Sequence, residues 1–318
     1  MSRKDKAENF KKKNLFLSIF TLFLPPDKNS AAVIHPYQEV KAVNKHPKNM
    51  ADNELYISNA EYHNDTTRIS KSGLDEINRS PAHYYAKYLA ADRVREKKTP
   101  ALIAGSAAHC AVLEPLTFAR QFALEPHVNK RTTKGREELE LFIAANEGKT
   151  IIDLDTYEMC MRMRDSVMKH TAARELLSDG IAEQTIHWTD EDTDAACKCR
   201  PDWRTRSGII VDLKTTEDAS PLSFGRSSFK YRYHVQAAFY GDGLISAGLG
   251  FEGFAFIAVE KSPPYAVAMY YADDRIMSLG RDTYKRDLER YVMCQAKNLW
   301  PAYTEEVTPL QLPEYAFR

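Results

Sequence analysis

Residues 183–216 decide the fold, and they read EQTIHWTDEDTDAACKCRPDWRTRSGIIVDLKTT. Three segments of this stretch, at 184–188, 195–203 and 209–216, are rich in β-branched and aromatic residues, which favour strands. Two short runs of turn-forming residues separate the segments at the spacing of hairpins. The stretch therefore predicts an antiparallel meander of three strands.

Two acids and one lysine lie on the second and third predicted strands. Asp202 comes late in the second segment, Asp212 late in the third, and Lys214 two residues further on. Because strand side chains alternate with a period of two, Asp212 and Lys214 share a face, and the two carboxylates can meet beside one amine. Carboxylate oxygens suit a hard divalent cation that activates a water, and the lysine would then stabilise charge on a phosphate. An ordinary ion pair at a strand end is the alternative.

Helices and two further strands surround the meander. Hydrophobic spacing predicts two short helices between residues 70 and 90, with a break at Ser80–Pro81, and a buried helix that starts at Pro100. The remaining predicted elements are helices at 136–145, 153–177, 235–247 and 273–298, and strands at 253–260 and 265–271. A helical first half followed by strands and helices in alternation indicates an α/β protein.

The charge balance excludes a protein that coats nucleic acid by bulk charge. Lys plus Arg and Asp plus Glu both total 44, so any DNA contact has to come from local patches. The five cysteines form no C-x-x-C pair and have no regular spacing, which excludes a disulfide scaffold and a zinc-finger frame. Cys197 and Cys199 are predicted to be core thiols, and this cysteine usage indicates a reducing, cytoplasmic setting.

The first 54 residues differ in composition from the rest. Residues 15–24, LFLSIFTLFL, form an apolar run that is too short to span a membrane but has the length of a signal-peptide core. The residues that follow are rich in Pro, Asn and Lys with little periodicity, and Met50 is an alternative start. No membrane partner is expected. The expected domains are a loose N-terminal arm or linker at 1–54, a catalytic domain at 55–300 and an irregular C-terminal tail at 301–318.

Four short blocks give the chain a resemblance to a known family. They are Gly105–His109 (GSAAH), Arg200–Trp203 (RPDW), Asp212–Thr216 (DLKTT) and Gln236–Tyr240 (QAAFY). A PD pair followed by D-x-K resembles the PD-(D/E)XK nuclease superfamily. The order of the blocks is similar to that of its RecB-like branch, and in particular of the RecE, or exonuclease VIII, type of DNA exonuclease. The resemblance covers about residues 60 to 300 and implies an α/β, restriction-endonuclease-like core with a mixed central sheet flanked by helices.

The resemblance also implies which residues bind metal and carry the reaction. The implied metal ligands are His109, Asp202, Asp212 and the backbone carbonyl of Leu213. The implied catalytic residues are Asp202, Asp212, Lys214 and His109, and the implied cofactor is Mg²⁺ or Mn²⁺. Taken without the resemblance, a histidine in an Ala-rich helix is more typical of a core residue than of a ligand.

Residues expected to contact nucleic acid come from two sources. The resemblance puts Gln236 and Tyr240, which share a helix face at i and i+4, beside the active centre and the DNA strand, and Arg200 in the RPDW block is a further expected contact. The stretch 225–234, GRSSFKYRYH, interleaves cations that neutralise phosphates with rings that stack on bases. A helix start with solvated charges and buried rings is the alternative. The members of this stretch are Arg226, Lys230 and Arg232, with Phe229, Tyr231 and Tyr233.

The activity implied by the resemblance is metal-dependent hydrolysis of linear double-stranded DNA, resected from the 5′ end to leave a 3′ single-stranded tail. The implied partners are DNA ends, a RecT-type annealing protein that uses the tail in recombination, and further copies of the chain in a ring, such as a tetramer. Two alternatives stay open. One is a RecB-like nuclease of the other polarity or an endonuclease, and the other is a non-catalytic DNA-binding relative.

Overall fold

The computed structural model describes residues 54–55, 57–93 and 99–317. The predicted N-terminal arm, with its apolar run at 15–24 and Met50, lies outside the described residues except for its last position, which is part of a short strand. Among the described helices, none is both long enough and apolar enough to cross a membrane.

The chain alternates helices with short strands. The helices are α1 (Asn59–Asn64), α2 (Lys71–Arg79), α3 (Pro81–Tyr84), α4 (Pro100–Leu113), α5 (Phe118–Gln121), α6 (Thr133–Ala145), α7 (Leu154–Lys169), α8 (Thr171–Leu176), α9 (Pro221–Lys230), α10 (Tyr233–Ser246) and α11 (Asp274–Lys297). A π-helical turn, Tyr85–Leu89, extends α3, and a 3-10 turn, Glu314–Phe317, lies near the C terminus. The strands are β1 (Glu54–Leu55), β2 (Phe122–Leu124), β3 (Thr150–Ile152), β4 (Gly180–Ala182), β5 (Thr185–Thr189), β6 (Ala196–Cys199), β7 (Trp203–Thr205), β8 (Ile209–Thr216), β9 (Gly253–Glu260) and β10 (Val267–Tyr271).

A five-stranded sheet with the order β10-β9-β8-β7-β4 forms the centre of the fold. Strands β8 and β9 are parallel and the other neighbours are antiparallel, so the sheet is mixed. Along β8, Ile209, Val211 and Leu213 pack into a core with α4 and α7, whereas Ile210 packs into a second core with α10 and α11. Because helices cover both faces, β8 is an interior strand. The predicted α/β architecture, with a mixed central sheet flanked by helices, is confirmed.

The predicted meander is wrong in one respect, because its strands belong to two sheets. Strands β5 and β6 pair in a second sheet of order β1-β5-β6, whereas β7 and β8 pair in the central sheet. The chain crosses from one sheet to the other at residues 200–202. Pro201 has no N–H to donate and its ring fixes φ, so a strand does not continue through it. Asp202 therefore lies at a bend between strands and not on a strand.

Most of the predicted helices are confirmed, and the exceptions have local causes. Ser80 ends α2 and caps α3, whose first residue is Pro81, so the predicted break is confirmed. The predicted helix at 153–177 is two helices, because His170 has an extended backbone and its side chain caps α8. Helix α9 is absent from the prediction because its Ser, Gly and Phe residues are weak helix formers.

Two smaller predictions concern the cysteines and the C-terminal tail. Cys197 and Cys199 are fully buried free thiols on β6, as predicted for core residues. Residues 301–313, all of which are described, form no helix or strand before the 3-10 turn. The backbone carbonyl of Pro301 accepts a hydrogen bond from the Ala82 N–H at 3.1 Å, which fixes the start of the tail against α3.

Candidate active site

Strand β8 brings Asp212 and Lys214 to one face, beside Gln236 on α10. The Asp212 side chain is buried, and its Oδ1 accepts a hydrogen bond from Gln236 Nε2 at 2.5 Å. Its Oδ2 lies 2.6 Å from Lys214 Nζ, which itself donates to Gln236 Oε1 at 3.0 Å. One amide therefore binds both charged groups, and this pairing fixes which end of the amide faces the carboxylate and which faces the amine.

The bend before β7 brings Asp202 against the backbone of β8 and against α4. Asp202 Oδ2 accepts a hydrogen bond from the Leu213 N–H at 2.9 Å, and it lies 3.3 Å from Nδ1 of His109. The helix that carries His109 is Ala-rich and packs directly on the central sheet. Asp202, Leu213 and His109 are thus brought together from a bend, a strand and a helix. That the Leu213 carbonyl binds metal stays a prediction.

Glu183 is a member of this site that the sequence analysis missed. His109, Glu183 and Asp202 each offer one possible metal-ligand atom, and these three atoms lie within 4.8 Å of one another. The Glu183 N–H also donates to the Asp202 carbonyl at 3.2 Å, and its φ of 52° is in the left-handed region. Strand spacing does not relate Glu183 to Asp202, because each lies where the chain leaves one sheet for the other. The one signal in the sequence is an acid at the point where the chain changes from helical to strand-forming residues.

The site concentrates negative charge in a largely buried space. Burial, together with the nearby Asp202 carboxylate, raises the pKa of Glu183 to about 8. Burial likewise raises the pKa of Asp212 to about 6, with Asp202 contributing and Lys214 opposing. Burial favours the neutral form of Lys214, but Asp212 and Asp202 outweigh it and raise the pKa of the amine, so Lys214 is a cation.

These residues fit a divalent cation. Two carboxylates and one imidazole offer ligand atoms to a common point. Asp212 Oδ2 is buried beside the Lys214 ammonium, 2.6 Å away. Burial and Asp202 still raise the pKa of Asp212 despite this cation, so a further positive charge nearby is favourable. Oxygen-rich sites with one imidazole are compatible with Mg²⁺ and Mn²⁺. His109, Glu183 and Asp202 could hold such a cation. Asp212 lies outside that group and adds negative charge from β8, and that Asp212 itself binds the metal stays a prediction.

Comparison with known proteins gives the family of the chain. A family described as a PDDEXK-like domain of unknown function, DUF3799, matches residues 70–313. The chain belongs to this family. No curated protein matches the sequence.

A solved structure shares the PDDEXK-like fold. It is the crystal structure of a candidate exonuclease from Eubacterium rectale, with 13% sequence identity, 83% of this chain and 98% of that chain covered, and a TM-score of 0.54. A second structure, SSO0001, is also 13% identical over 72% of this chain and 87% of that chain, with a TM-score of 0.24. The first match shows a common fold and supports the restriction-endonuclease-like core, whereas the second is too distant to add to it.

Gln236 and Tyr240 both lie on the buried side of α10 in this PDDEXK-like core. Gln236 contacts the active centre through Asp212 and Lys214. Tyr240 is buried in the core that α10 forms with the central sheet, and its ring lies near that of Phe254. The structure brings Gln236 to Asp212 and Lys214, and that Gln236 and Tyr240 contact the DNA strand stays a prediction.

Arg200 and Arg232 were expected to contact nucleic acid, and the structure gives both of them internal partners. Arg200 is buried, donates to Thr185 Oγ1 at 2.9 Å and lies over a tyrosine ring of α1 at 4.3 Å. Arg232 forms ion pairs with Asp287 and with Asp75. These internal partners hold both guanidinium groups within the protein, and that either residue contacts nucleic acid stays a prediction.

Arg226 and Lys230 are exposed on α9, as the expectation for DNA contacts requires. Two rings of the same stretch, Phe229 and Tyr231, are exposed as well, whereas Tyr233 is partly buried. The stretch at 225–234 is therefore divided between an outer surface of two cations and two rings and an inner set of anchoring residues. The predicted alternative, a helix with buried rings, describes only the inner set.

Proposed function

We propose that this protein is a metal-dependent nuclease that hydrolyses phosphodiester bonds from the ends of linear double-stranded DNA. The observation that carries the proposal is the convergence of Asp202, Asp212 and Lys214 with His109 and Glu183. Carboxylates beside a buried, charged lysine match what cleavage of a phosphate diester needs, which is a cation site and a positive group for the developing negative charge. The family assignment and the fold it shares with a candidate exonuclease support the same chemistry.

Each residue has a distinct role in this proposal. When bound, Mg²⁺ or Mn²⁺ supplies Lewis-acid activation of the phosphate and of a water. His109, Glu183 and Asp202 hold the cation, and Asp212 contributes negative charge from β8. Lys214 donates to a phosphate oxygen as negative charge develops there.

Two contacts prepare the site for this reaction. The Leu213 N–H holds the Asp202 carboxylate against β8. Gln236 keeps the Asp212 carboxylate and the Lys214 ammonium in fixed orientations. Pre-oriented groups of this kind need little rearrangement when charge moves during the reaction, which lowers its barrier.

The polarity and the partners in the proposal come from the resemblance to RecE-type exonucleases. On that basis resection starts at 5′ ends, leaves 3′ tails for a RecT-type annealing protein, and takes place in a ring of several copies in the cytoplasm. Zero formal net charge is compatible with this arrangement, because a ring can gather local basic patches into one channel. Light scattering of the full chain, with and without DNA, measures the number of copies.

One experiment tests the activity. The purified full chain is incubated with linear duplexes labelled at either the 5′ or the 3′ end, with Mg²⁺ or with a chelator, and closed circular DNA is the matched substrate control. We expect metal-dependent release of nucleotides from the 5′-labelled end and no cleavage of circles. Cleavage of circles would make the protein an endonuclease, and faster loss of the 3′ label would reverse the polarity.

Variants separate a catalyst from a DNA-binding relative. Lys214→Ala and Asp212→Asn should abolish cleavage, whereas Glu191→Gln, which changes an exposed acid in the turn between β5 and β6, should cleave like the parent. If the parent binds duplex DNA but cleaves none of the substrates with Mg²⁺ or Mn²⁺, the nuclease proposal fails and the non-catalytic alternative is correct.

A further inference from the structure

Two aromatic rings are exposed where α9 ends and the chain turns into α10. Phe229, near the end of α9, is 71% exposed, and Tyr231, in the turn between α9 and α10, is 52% exposed. Rings this exposed leave half or more of their area in water, so they contribute less to the stability of the folded chain than core rings do. Rings that extend into water from an ordered surface are common where proteins bind bases or partners.

The turn that carries Tyr231 and follows Phe229 is held in place by charged anchors. Arg232 has a left-handed backbone, with φ of 57°, and its guanidinium forms ion pairs with Asp287 and Asp75. From α2, Lys71 Nζ donates to the Tyr231 carbonyl at 2.9 Å. A bulky residue in the left-handed region costs free energy unless surrounding contacts compensate for it. The anchors therefore fix a strained turn whose outward side chains are aromatic.

Each exposed ring is backed by a second, more buried ring. Phe229 is stacked on His234, with ring centroids 5.7 Å apart and an interplanar angle of 13°. Tyr231 is stacked on Tyr233 at 5.9 Å and 27°. The inner rings fix the planes of the outer rings. The area of each outer ring that stays exposed is where a flat group could pack against it.

The pair of tyrosines connects this surface to the catalytic lysine. Lys214 Nζ lies 4.5 Å from the centroid of the Tyr233 ring, and Tyr231 is the next ring outward. A flat group stacked on Tyr231 would therefore lie close to any phosphate that Lys214 contacts. This proximity distinguishes Tyr231 from other exposed rings of the protein, such as that of Tyr303, which is 74% exposed beside His83 on α3. Phe229 lies two residues before Tyr231, near the end of α9.

The segment that carries the rings has charged residues of one sign only. No Asp or Glu occurs between Asp218 and Asp242, whereas Arg226 and Lys230 are exposed in this interval. Lys230 Nζ lies 5.2 Å from the centroid of the Tyr231 ring. Rings interleaved with cations bind a strand whose bases are unpaired, because each base presents a flat face and each nucleotide carries a negative phosphate.

We infer that Phe229 and Tyr231 stack on unpaired bases of the DNA strand that enters the active centre, with Arg226 and Lys230 on its phosphates. The inference rests on the proposed nuclease function and specifies its substrate, which is a strand whose end has separated from its complement next to the scissile phosphate. A fully paired end has to open before it can bind in this way, so a frayed end or a single strand is the better substrate.

Binding without cleavage tests the inference. A single-stranded oligonucleotide that contains 2-aminopurine is titrated with the full chain in the presence of a chelator, and stacking is read as fluorescence quenching. The double variant F229L/Y231L should bind on the order of ten-fold or more weakly and lose the quenching, whereas Tyr231→Phe should retain both. Tyr303→Leu is the matched control and should behave like the parent. Equal affinity and equal quenching in the parent and the double variant would overturn the inference.

Cleavage separates this inference from the proposed function. With Mg²⁺, the parent should degrade a duplex with mismatched terminal pairs faster than a fully paired duplex, and F229L/Y231L should lose this preference. If the parent cleaves no DNA but the double variant still loses oligonucleotide binding, the nuclease proposal fails and the stacking surface is retained. If cleavage takes place with no preference for opened ends in the parent, the nuclease proposal is retained and the inference fails.

Discussion

Replacing Glu183 with glutamine should stabilise the metal-free protein at and above pH 8. In the folded chain, burial and the nearby Asp202 carboxylate raise the pKa of Glu183 from its ordinary 4.5 to about 8. The unfolded chain therefore releases this proton at lower pH than the folded chain does. The sign follows from this difference: between about pH 4.5 and 8, the folded state binds more protons, so stability falls as the pH rises.

The size of the effect follows from the shift of the pKa. Each tenfold preference for the protonated form is worth about 1.4 kcal/mol, so the ionised carboxylate costs the folded state a few kcal/mol above pH 8. A neutral glutamine of the same shape avoids this cost. For a chain of this length, the melting temperature of Glu183→Gln at pH 8.5 should exceed that of the parent by on the order of 5 °C.

Thermal unfolding of both proteins in a chelator, at several pH values between about 5 and 9, measures the difference. Glu191→Gln, in an exposed turn, is the control and should follow the parent at every pH. Adding Mg²⁺ should raise the melting temperature of the parent, and by more at pH 8 than at pH 6, because protons compete for the same carboxylates. Parallel curves for the parent and Glu183→Gln, or equal stabilisation of both by Mg²⁺, would refute the reasoning.

Three further substitutions test the contacts that support the site. Gln236→Ala should lower the single-turnover cleavage rate by about ten- to a hundred-fold, because the carboxylate and the amine that it bridges lose their fixed orientation; an unchanged rate would contradict this. Arg232→Ala should lower the free energy of unfolding in urea by about 3 kcal/mol or more, since it leaves Asp287 buried without its cation. Gly280→Ala should destabilise the chain by more than about 2 kcal/mol, because a Cβ there would lie 2.0 Å from a backbone oxygen of α10. Gly225→Ala, where a Cβ meets nothing within 4 Å, is its control and should be neutral or slightly stabilising.

The parts of the site that follow from periodicity could be predicted from the sequence. Strand β8 has the predicted bounds, and Asp212 and Lys214 lie on one face of it because strand side chains alternate. The split of the meander into two sheets could not be derived from strand propensity. Propensity indicates that β6 and β7 are strands, but it does not indicate which strands they pair with. Pro201 is the local signal for the split, and it marks the end of a strand without specifying which sheet comes next.

Residues whose role depends on tertiary contacts could not be assigned from the sequence. Arg232 and Lys230 are both cations in one basic, aromatic stretch, yet Arg232 is paired with two carboxylates from distant helices and Lys230 is exposed. The sequence neighbours of the two residues are alike, whereas in the folded chain Arg232 has a left-handed backbone and pairs with carboxylates that are distant in sequence. A charge pattern therefore predicts that a surface is basic more reliably than it predicts which cation belongs to that surface.

The position of the candidate metal site follows from the way the chain crosses between its two sheets. It crosses from β4 to β5 at Glu183 and returns from β6 to β7 at Asp202, and the two crossings are joined by the hydrogen bond from the Glu183 N–H to the Asp202 carbonyl. At a crossing the strand's hydrogen bonds to its neighbour end. Side chains there no longer have to alternate between the two faces of a sheet. Both carboxylates can then turn into one space, where β8 adds Asp212 and α4 adds His109. The left-handed backbone of Glu183 costs free energy and brings no apolar burial, which is the pattern expected where a residue is retained for its chemistry and not for stability.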